Sequence, residues 1–247
     1  MDPHSWSVDP DALAVVPTLA VGYLLLQVWW PTSRERRFAF AASQLLLIAV
    51  FVTPLETLAL HYLLSAHLLQ NVAVAEWAPG LAVVGLAPAL ARELERHATV
   101  RALTHPLVAL PIWLATYFVW HVPRIYDTAL EHPATLLHLE HTTYFAAGVV
   151  MWWPVVHGRG PDGVKALYLF AAFVLASPLG LLLALVPHTA YPFYEHAPHL
   201  WVDHLTDQQI AGLTMAAEQA VVFFAVFALY LARFLRSEAI VGVYGRH

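Results

Sequence analysis

The sequence predicts an all-α, polytopic membrane protein with seven transmembrane helices. Hydrophobic residues make up 60 % of the chain and charged residues 12 %, which is about half the charged fraction of a typical soluble domain. Seven long apolar runs are present, and a run of about 20 such residues crosses a bilayer as one helix. Eleven of the 12 Lys and Arg residues lie in alternate gaps between these runs. Because short basic loops stay in the cytoplasm, the N-terminus is predicted outside and the C-terminus cytoplasmic.

The seven runs have the length of a membrane span, and most end near Pro or aromatic residues. In chain order they are Ala12 to Trp30, Phe38 to Leu60, Tyr62 to Leu90, Pro106 to Val122, Thr135 to Val156, Ala166 to Val186 and Gln208 to Leu235. The third run is long and is expected to tilt or to break near Pro79 and Gly80. Seven spans use roughly 140 residues, which leaves only short loops. Residues 1–247 are therefore expected to form one multi-pass domain in the inner (plasma) membrane.

Composition narrows the chemistry open to the chain. It contains no cysteine, so disulfides and thiolate metal sites are excluded. Any metal must be held by imidazole, carboxylate, amide or thioether groups. The net charge of -5, without a basic patch, indicates no nucleic-acid partner. The acidic N-terminal residues do not resemble the basic start of a cleavable signal peptide, so none is expected.

The histidines are distributed unevenly across the predicted membrane. Four fall near the cytoplasmic face: His97, His105, His157 and His247. The other eleven lie outside or in the outer halves of spans: His4, His61, His67, His121, His132, His138, His141, His188, His196, His199 and His204. This concentration of imidazoles at one membrane face predicts that they have a function.

Four of the outer histidines are predicted to lie at one depth. His67 is in the third span, His121 ends the fourth, and His138 and His141 begin the fifth. Residues three apart share a helix face, so the last two can present nitrogens to one ion. Several neutral imidazoles at about 2.0–2.1 Å make a zinc or copper site. The alternative is that each ring only hydrogen-bonds a carbonyl group or water.

Two carboxylates fall near the middle of predicted spans. Glu76 is in the third span and Glu218 is in the seventh. An ionisable group at that depth is costly, so it normally faces the bundle interior. The pair indicates either a proton or ion path, or protonated acids that hydrogen-bond between helices.

Three segments together resemble the CtaG-type cytochrome c oxidase assembly factors. SAHLLQNVAVAEWAPGLAVVGLAP resembles their third-span signature, and WHVPRIYDTALEHPATLLHLEHTTYFAAGVVMWWPV resembles their fourth-to-fifth-span block. LTDQQIAGLTM resembles the start of their last span. This chain has Asn71 where family members often have a second histidine.

The resemblance implies a function in copper delivery. It implies a non-enzymatic protein that binds copper and assists its insertion into a haem-copper oxidase. The expected partners are an oxidase subunit, a copper donor protein and the lipid bilayer. The candidate ligands that it implies are His67, His121, His138 and His141, with Asp207 as a fourth ligand or a supporting residue.

Other functions stay open at this point. Two histidines on different helices can ligate haem axially, as in a membrane haem protein or oxidoreductase. A metal-free chaperone for an oxidase subunit would use the histidines only for packing. A zinc-dependent hydrolase is disfavoured, because the His138 to His141 segment lacks the His-Glu-x-x-His spacing. A retinal protein is disfavoured because the last span contains no lysine.

Overall fold

The computed structural model describes residues 2–7 and 9–244, and His247 lies outside them. Over these ranges the chain forms α-helices and two π-helical turns, without strands. The α-helices are α1 Pro10–Trp29, α2 Arg34–Phe51, α3 Pro54–His61, α4 Leu64–Val72, α5 Ala78–Gly85, α6 Pro88–Leu94, α7 Ala98–Leu103, α8 Pro106–Trp120, α9 Pro123–Glu131, α10 His138–Val156, α11 Asp162–Leu185, α12 Pro192–Glu195 and α13 His204–Tyr244. One π turn, Ala73–Trp77, joins α4 to α5, and the other, Pro133–Leu137, leads into α10.

The all-helical class is confirmed, and each predicted apolar run overlaps one or more helices. Four helical segments of the described chain are long and apolar enough to cross a membrane: Ala12–Trp29, Leu64–Gly85, Asp162–Leu185 and His204–Glu238. Two bent pairs raise this number to six, namely α2 with α3, at 51°, and α8 with α9, at 72°. Helix α10 is not among them, because its first turn carries Glu140 and two histidines. The count of seven spans and the orientation of the termini stay predictions.

Prolines account for the bends. Pro54 begins α3 and Pro123 begins α9, and Pro is tolerated at the first helical position but does not continue a preceding helix. The irregularity predicted near Pro79 takes the form of the π turn just before it, which carries Ala75. Helix α10 packs closely at this turn. A Cβ on Gly148 would lie 2.3 Å from the carbonyl oxygen of Ala75.

Small residues also bring the last two long helices together. Helices α11 and α13 touch at Gly180 and Gly212. A Cβ on Gly180 would lie 2.8 Å from the carbonyl oxygen of Gly212. Membrane helices associate by such close backbone packing, because lipid provides no hydrophobic drive between helices. Helices α4 and α5 are mostly buried, whereas most of α1 is exposed. The centre of the bundle therefore lies at the segment Leu64–Gly85, which carries His67 in α4 and Glu76 in the π turn.

Candidate metal site

His67 lies at the centre of the candidate site, fully buried on α4. Its Nδ1 atom is 2.8 Å from the hydroxyl of Tyr194, and that hydroxyl donates to the carbonyl oxygen of Ala59 at 2.6 Å. A tyrosine hydroxyl has one proton to donate, so its oxygen accepts from the Nδ1–H of His67. Nε2 then carries the lone pair. It is buried and has no hydrogen-bond partner among the described residues.

His121 has the same tautomer for a similar reason. It follows the last residue of α8, and its Nδ1 atom is 2.8 Å from the backbone oxygen of Tyr117. A carbonyl oxygen can only accept, so Nδ1 carries the proton and Nε2 is left with a lone pair. This Nε2 is also buried, without a hydrogen-bond partner in the described chain.

His141, on α10, completes what we call the histidine cluster: His67, His121 and His141. Its Nε2 atom is buried and likewise lacks a hydrogen-bond partner within the described ranges. Its ring centroid is 6.2 Å from that of His67. Two rings that ligate one ion through nitrogens at about 2.0–2.1 Å have centroids roughly 5–6 Å apart. The spacing of this pair is therefore close to that of two ligands.

The third ring of the cluster, that of His121, stands apart from the pair formed by His67 and His141. The ring of Tyr126 lies beside both His67 and His121, with centroid distances of 5.2 Å and 6.1 Å. No three His, Asp or Glu side chains of the described residues are arranged to hold one ion as they stand. Binding of an ion by all three imidazoles would therefore require a shift of side chains around Tyr126.

The two other predicted ligands have different neighbours. Nε2 of His138 lies 3.5 Å from Oδ1 of Asp9, and the ring is 23 % exposed. The carboxylate of Asp207 accepts the backbone N–H of Leu64 at 2.6 Å and contacts the N–H and hydroxyl of Ser65. Asp207 therefore caps the first turn of α4 from α13. The structure brings His67 and His141 together and places His138 and Asp207 outside that pair.

Asn71, four residues after His67, faces a carboxyl group. Its Nδ2 donates to Oε1 of Glu140 at 2.9 Å, and both side chains are buried. Glu140 precedes His141 in α10, so the helix sets a carboxyl group beside the histidine cluster. Sequence reasoning missed this contact, because the four-residue spacing of Asn71 from His67 was visible but its partner on another helix was not.

The loop of residues 186–203, here called the covering loop, closes one side of the cluster. Its helix α12 places Tyr194 against His67, as described above. Tyr191 donates to the backbone oxygen of His121 at 3.1 Å, and its ring lies 4.3 Å from that of Tyr126. Both loop tyrosines are buried. The aromatic segment around Pro192 was a visible signal, but nothing in it showed which histidines the tyrosines would meet.

The two mid-span carboxyl groups also meet. Glu76 and Glu218 are within hydrogen-bonding distance of each other, and Trp77 donates its indole N–H to Glu218. Gln219 donates to Glu76 at 3.4 Å and to the hydroxyl of Tyr117 at 2.9 Å. Two carboxyl groups in contact are stable when they share a proton. The contact is that of the second interpretation of the sequence, in which acids form a hydrogen bond between helices, and it is also compatible with a proton path.

The fold and site define a class: an all-helical protein with several helices long enough to span a membrane and a buried histidine cluster beneath a covering loop. The profile of the cytochrome c oxidase caa3 assembly factor (Caa3_CtaG) family matches residues 18–237. The chain therefore belongs to that family, as its motifs predicted. No curated protein and no solved structure matches it. An assembly factor for cytochrome c oxidase has an oxidase as its partner, and this description indicates a non-catalytic role.

Proposed function

We propose that this chain binds copper through the histidine cluster and assists insertion of that copper into a haem-copper oxidase. In this proposal it lies in the plasma membrane with seven spans, an outer N-terminus and a cytoplasmic C-terminus. The cluster then faces outward, where a copper donor protein delivers the ion. The observation that supports the proposal is the set of three buried Nε2 atoms without hydrogen-bond partners in the described structure, two of which, in His67 and His121, carry a lone pair.

Such lone pairs require an explanation, because buried polar atoms in proteins almost always have a partner. Neutral imidazole is a good copper ligand, and the chain offers no thiolate in its place. The contacts of Tyr194 and of the Tyr117 carbonyl fix the rings of His67 and His121. Outer-shell hydrogen bonds of this kind orient ligands in established metal sites.

We assign the first ligands to His67 and His141, with His121 joining them after a shift of side chains. His138 and Asp207 remain candidates with supporting roles, since each already contacts other groups of the chain. A site assembled by such a shift would hold copper less tightly than a preformed one. This suits a protein that must pass its ion to an oxidase subunit.

Copper binding by purified protein tests this proposal. We expect the full chain in detergent to take up about one Cu(I) in competition with a chromophoric chelator, because the imidazoles of His67 and His141 face each other and neutral imidazole binds copper well. The double variant His67→Ala and His141→Ala should lose this uptake. A matched control, His4→Ala and His97→Ala, removes two exposed imidazoles and should retain it.

Three further results bear on the proposal. Melting curves of both double variants will show whether each one folds. A cluster variant that folds and still binds copper like the parent contradicts the proposed site. An absorption spectrum with a Soret band would favour the haem protein instead. Full rescue of oxidase assembly by the cluster variant in a deletion strain would favour a metal-free chaperone.

A further inference from the structure

A basic pocket lies at the end of the bundle opposite the histidine cluster. Helix α8 runs from Pro106 at this pocket to Trp120 next to His121. The pocket has a volume of about 620 Å³. Four arginines line it: Arg92, Arg96, Arg101 and Arg159. The first three lie in or between α6 and α7, and Arg159 follows α10, so the fold brings Arg159 to a basic segment that is distant in sequence.

Two of these arginines are available for a ligand. Arg96 pairs with Glu93 at 3.1 Å, and Arg101 donates to the backbone oxygen of Glu95 at 3.2 Å. Arg92 and Arg159 are exposed and make no hydrogen bond or ion pair with any described residue. The carboxylates of Glu93 and Glu95 also line the pocket. The second of them accepts the indole N–H of Trp153 at 3.0 Å, and the arginines still outnumber the carboxylates.

An apolar cleft continues from the basic pocket between the helices. The two share Thr104, His105, Pro106 and Arg159. The cleft has a volume of about 250 Å³, and Pro154, Val155, Val164 and Tyr168 are among its lining residues. Helices α10 and α11 supply these side chains. A positive pocket that opens directly into an apolar cleft matches a molecule with an anionic head and a hydrocarbon chain.

The one lysine that lines the cleft has its amino group engaged by other groups of the protein. The amino group of Lys165 donates to the backbone oxygen of Val155 at 2.9 Å and lies over the ring of Tyr230. Its charge is therefore held on the protein rather than presented to the cleft. This leaves the apolar wall available for a hydrocarbon chain and concentrates the free positive charge at the mouth.

We propose that the pocket and cleft together bind one anionic phospholipid. Its phosphate lies between Arg92 and Arg159, which can each form charge-assisted hydrogen bonds to it. One acyl chain lies in the cleft between α10 and α11. Basic pockets between membrane helices suit acidic headgroups for this reason. A free phosphate ion would use the arginines but would gain nothing from the cleft.

Lipid binding to the full chain tests the site. We use native mass spectrometry in a neutral detergent, with phosphatidylglycerol and phosphatidylcholine of the same acyl chains. We expect phosphatidylglycerol to bind about tenfold more tightly, because the arginine contacts are charge-assisted. The double variant Arg92→Gln and Arg159→Gln should lose this preference. The control, Arg34→Gln and Arg37→Gln, removes the same charge from the start of α2 and should keep the preference.

Two further measurements separate lipid from a soluble anion. Val164→Trp fills the cleft without changing its charge, and we expect it to weaken phosphatidylglycerol binding by about tenfold. Inorganic phosphate at millimolar concentration should not displace the lipid. Displacement by phosphate, unchanged binding in the Val164 variant, or equal affinity for the two lipids would each overturn the proposal. So would an arginine variant that keeps its preference.

Discussion

The histidine cluster and the carboxyl pair of Glu76 and Glu218 are two buried polar regions of the same bundle, and they differ in what their atoms still need. In the cluster, the protonated nitrogens of His67 and His121 face oxygen acceptors, while the Nε2 lone pairs face no donor of the described chain. In the pair, Trp77 donates to Glu218 and Gln219 donates to Glu76, while Oε2 of each glutamate has no donor among the described residues unless one carboxyl group is protonated and donates to the other. One shared proton can serve the pair, whereas in the proposed function a copper ion is the partner of the cluster.

This difference separates a binding role from a structural one. Burying polar groups is tolerated when they are paired and costs stability when they are not. The carboxyl pair offsets this cost internally and stabilises contact between the π turn and α13, and Gln219 extends the network to Tyr117 of α8. In the proposed function, the cluster leaves part of this cost uncompensated until copper binds. Variants of the pair should therefore change stability and leave copper binding unchanged. Variants of the cluster should change copper binding and leave stability unchanged.

The largest expected effect concerns the carboxyl pair. Glu76→Leu removes the partner of Glu218 and an acceptor of Gln219, and we expect it to lower the free energy of unfolding by about 1–3 kcal/mol. Glu76→Gln keeps a polar partner at the same position and should cost less. Thermal unfolding in detergent measures both, with copper titration beside it. A loss of copper affinity in the folded Gln variant would show that the two regions are coupled.

The second effect concerns the covering loop. Tyr194→Phe removes the oxygen that accepts from Nδ1 of His67, so the ring loses its fixed tautomer and orientation. Loss of such outer-shell contacts weakens metal binding by about 10–100-fold, and we expect a decrease of this order in Cu(I) affinity. Competition titration measures it. The matched control is Phe193→Leu, which changes a neighbouring loop residue without a polar contact to the cluster. Equal affinities in the two variants would contradict a supporting role for Tyr194.

Much of the fold followed from the sequence, because apolar run length and the placement of basic loops are local signals. The bends at Pro54 and Pro123 also follow from local chemistry. The site was predicted only in part. His67 and His141 do face each other, as spacing and depth indicated. Asp207 caps α4 instead of facing the cluster, because the packing of α13 against the start of α4 decides its partner, and that packing has no signature in the sequence near Asp207.

His138 shows why helix spacing alone is a weak guide to ligands. Positions three apart share a face, but they point about 60° apart around the axis of a helix with 3.6 residues per turn. That angle takes the ring of His138 to Asp9 near the start of α1, while His141 points at His67. Spacing could place both histidines on the correct side of α10, and only the neighbouring helices determine which one enters the bundle.

The smallest expected effect follows from this difference within α10. Because His138 is partly exposed and lies against Asp9, we expect His138→Gln to change Cu(I) affinity by less than about threefold, which corresponds to less than about 0.7 kcal/mol. His141→Gln, three residues later on the same helix, should lower the affinity strongly, since it removes one ring of the facing pair. Competition titration measures the Cu(I) affinity of both variants, which differ only in the position changed within α10. A strong loss in the His138 variant would mean that copper binding draws this ring away from Asp9 and into the cluster.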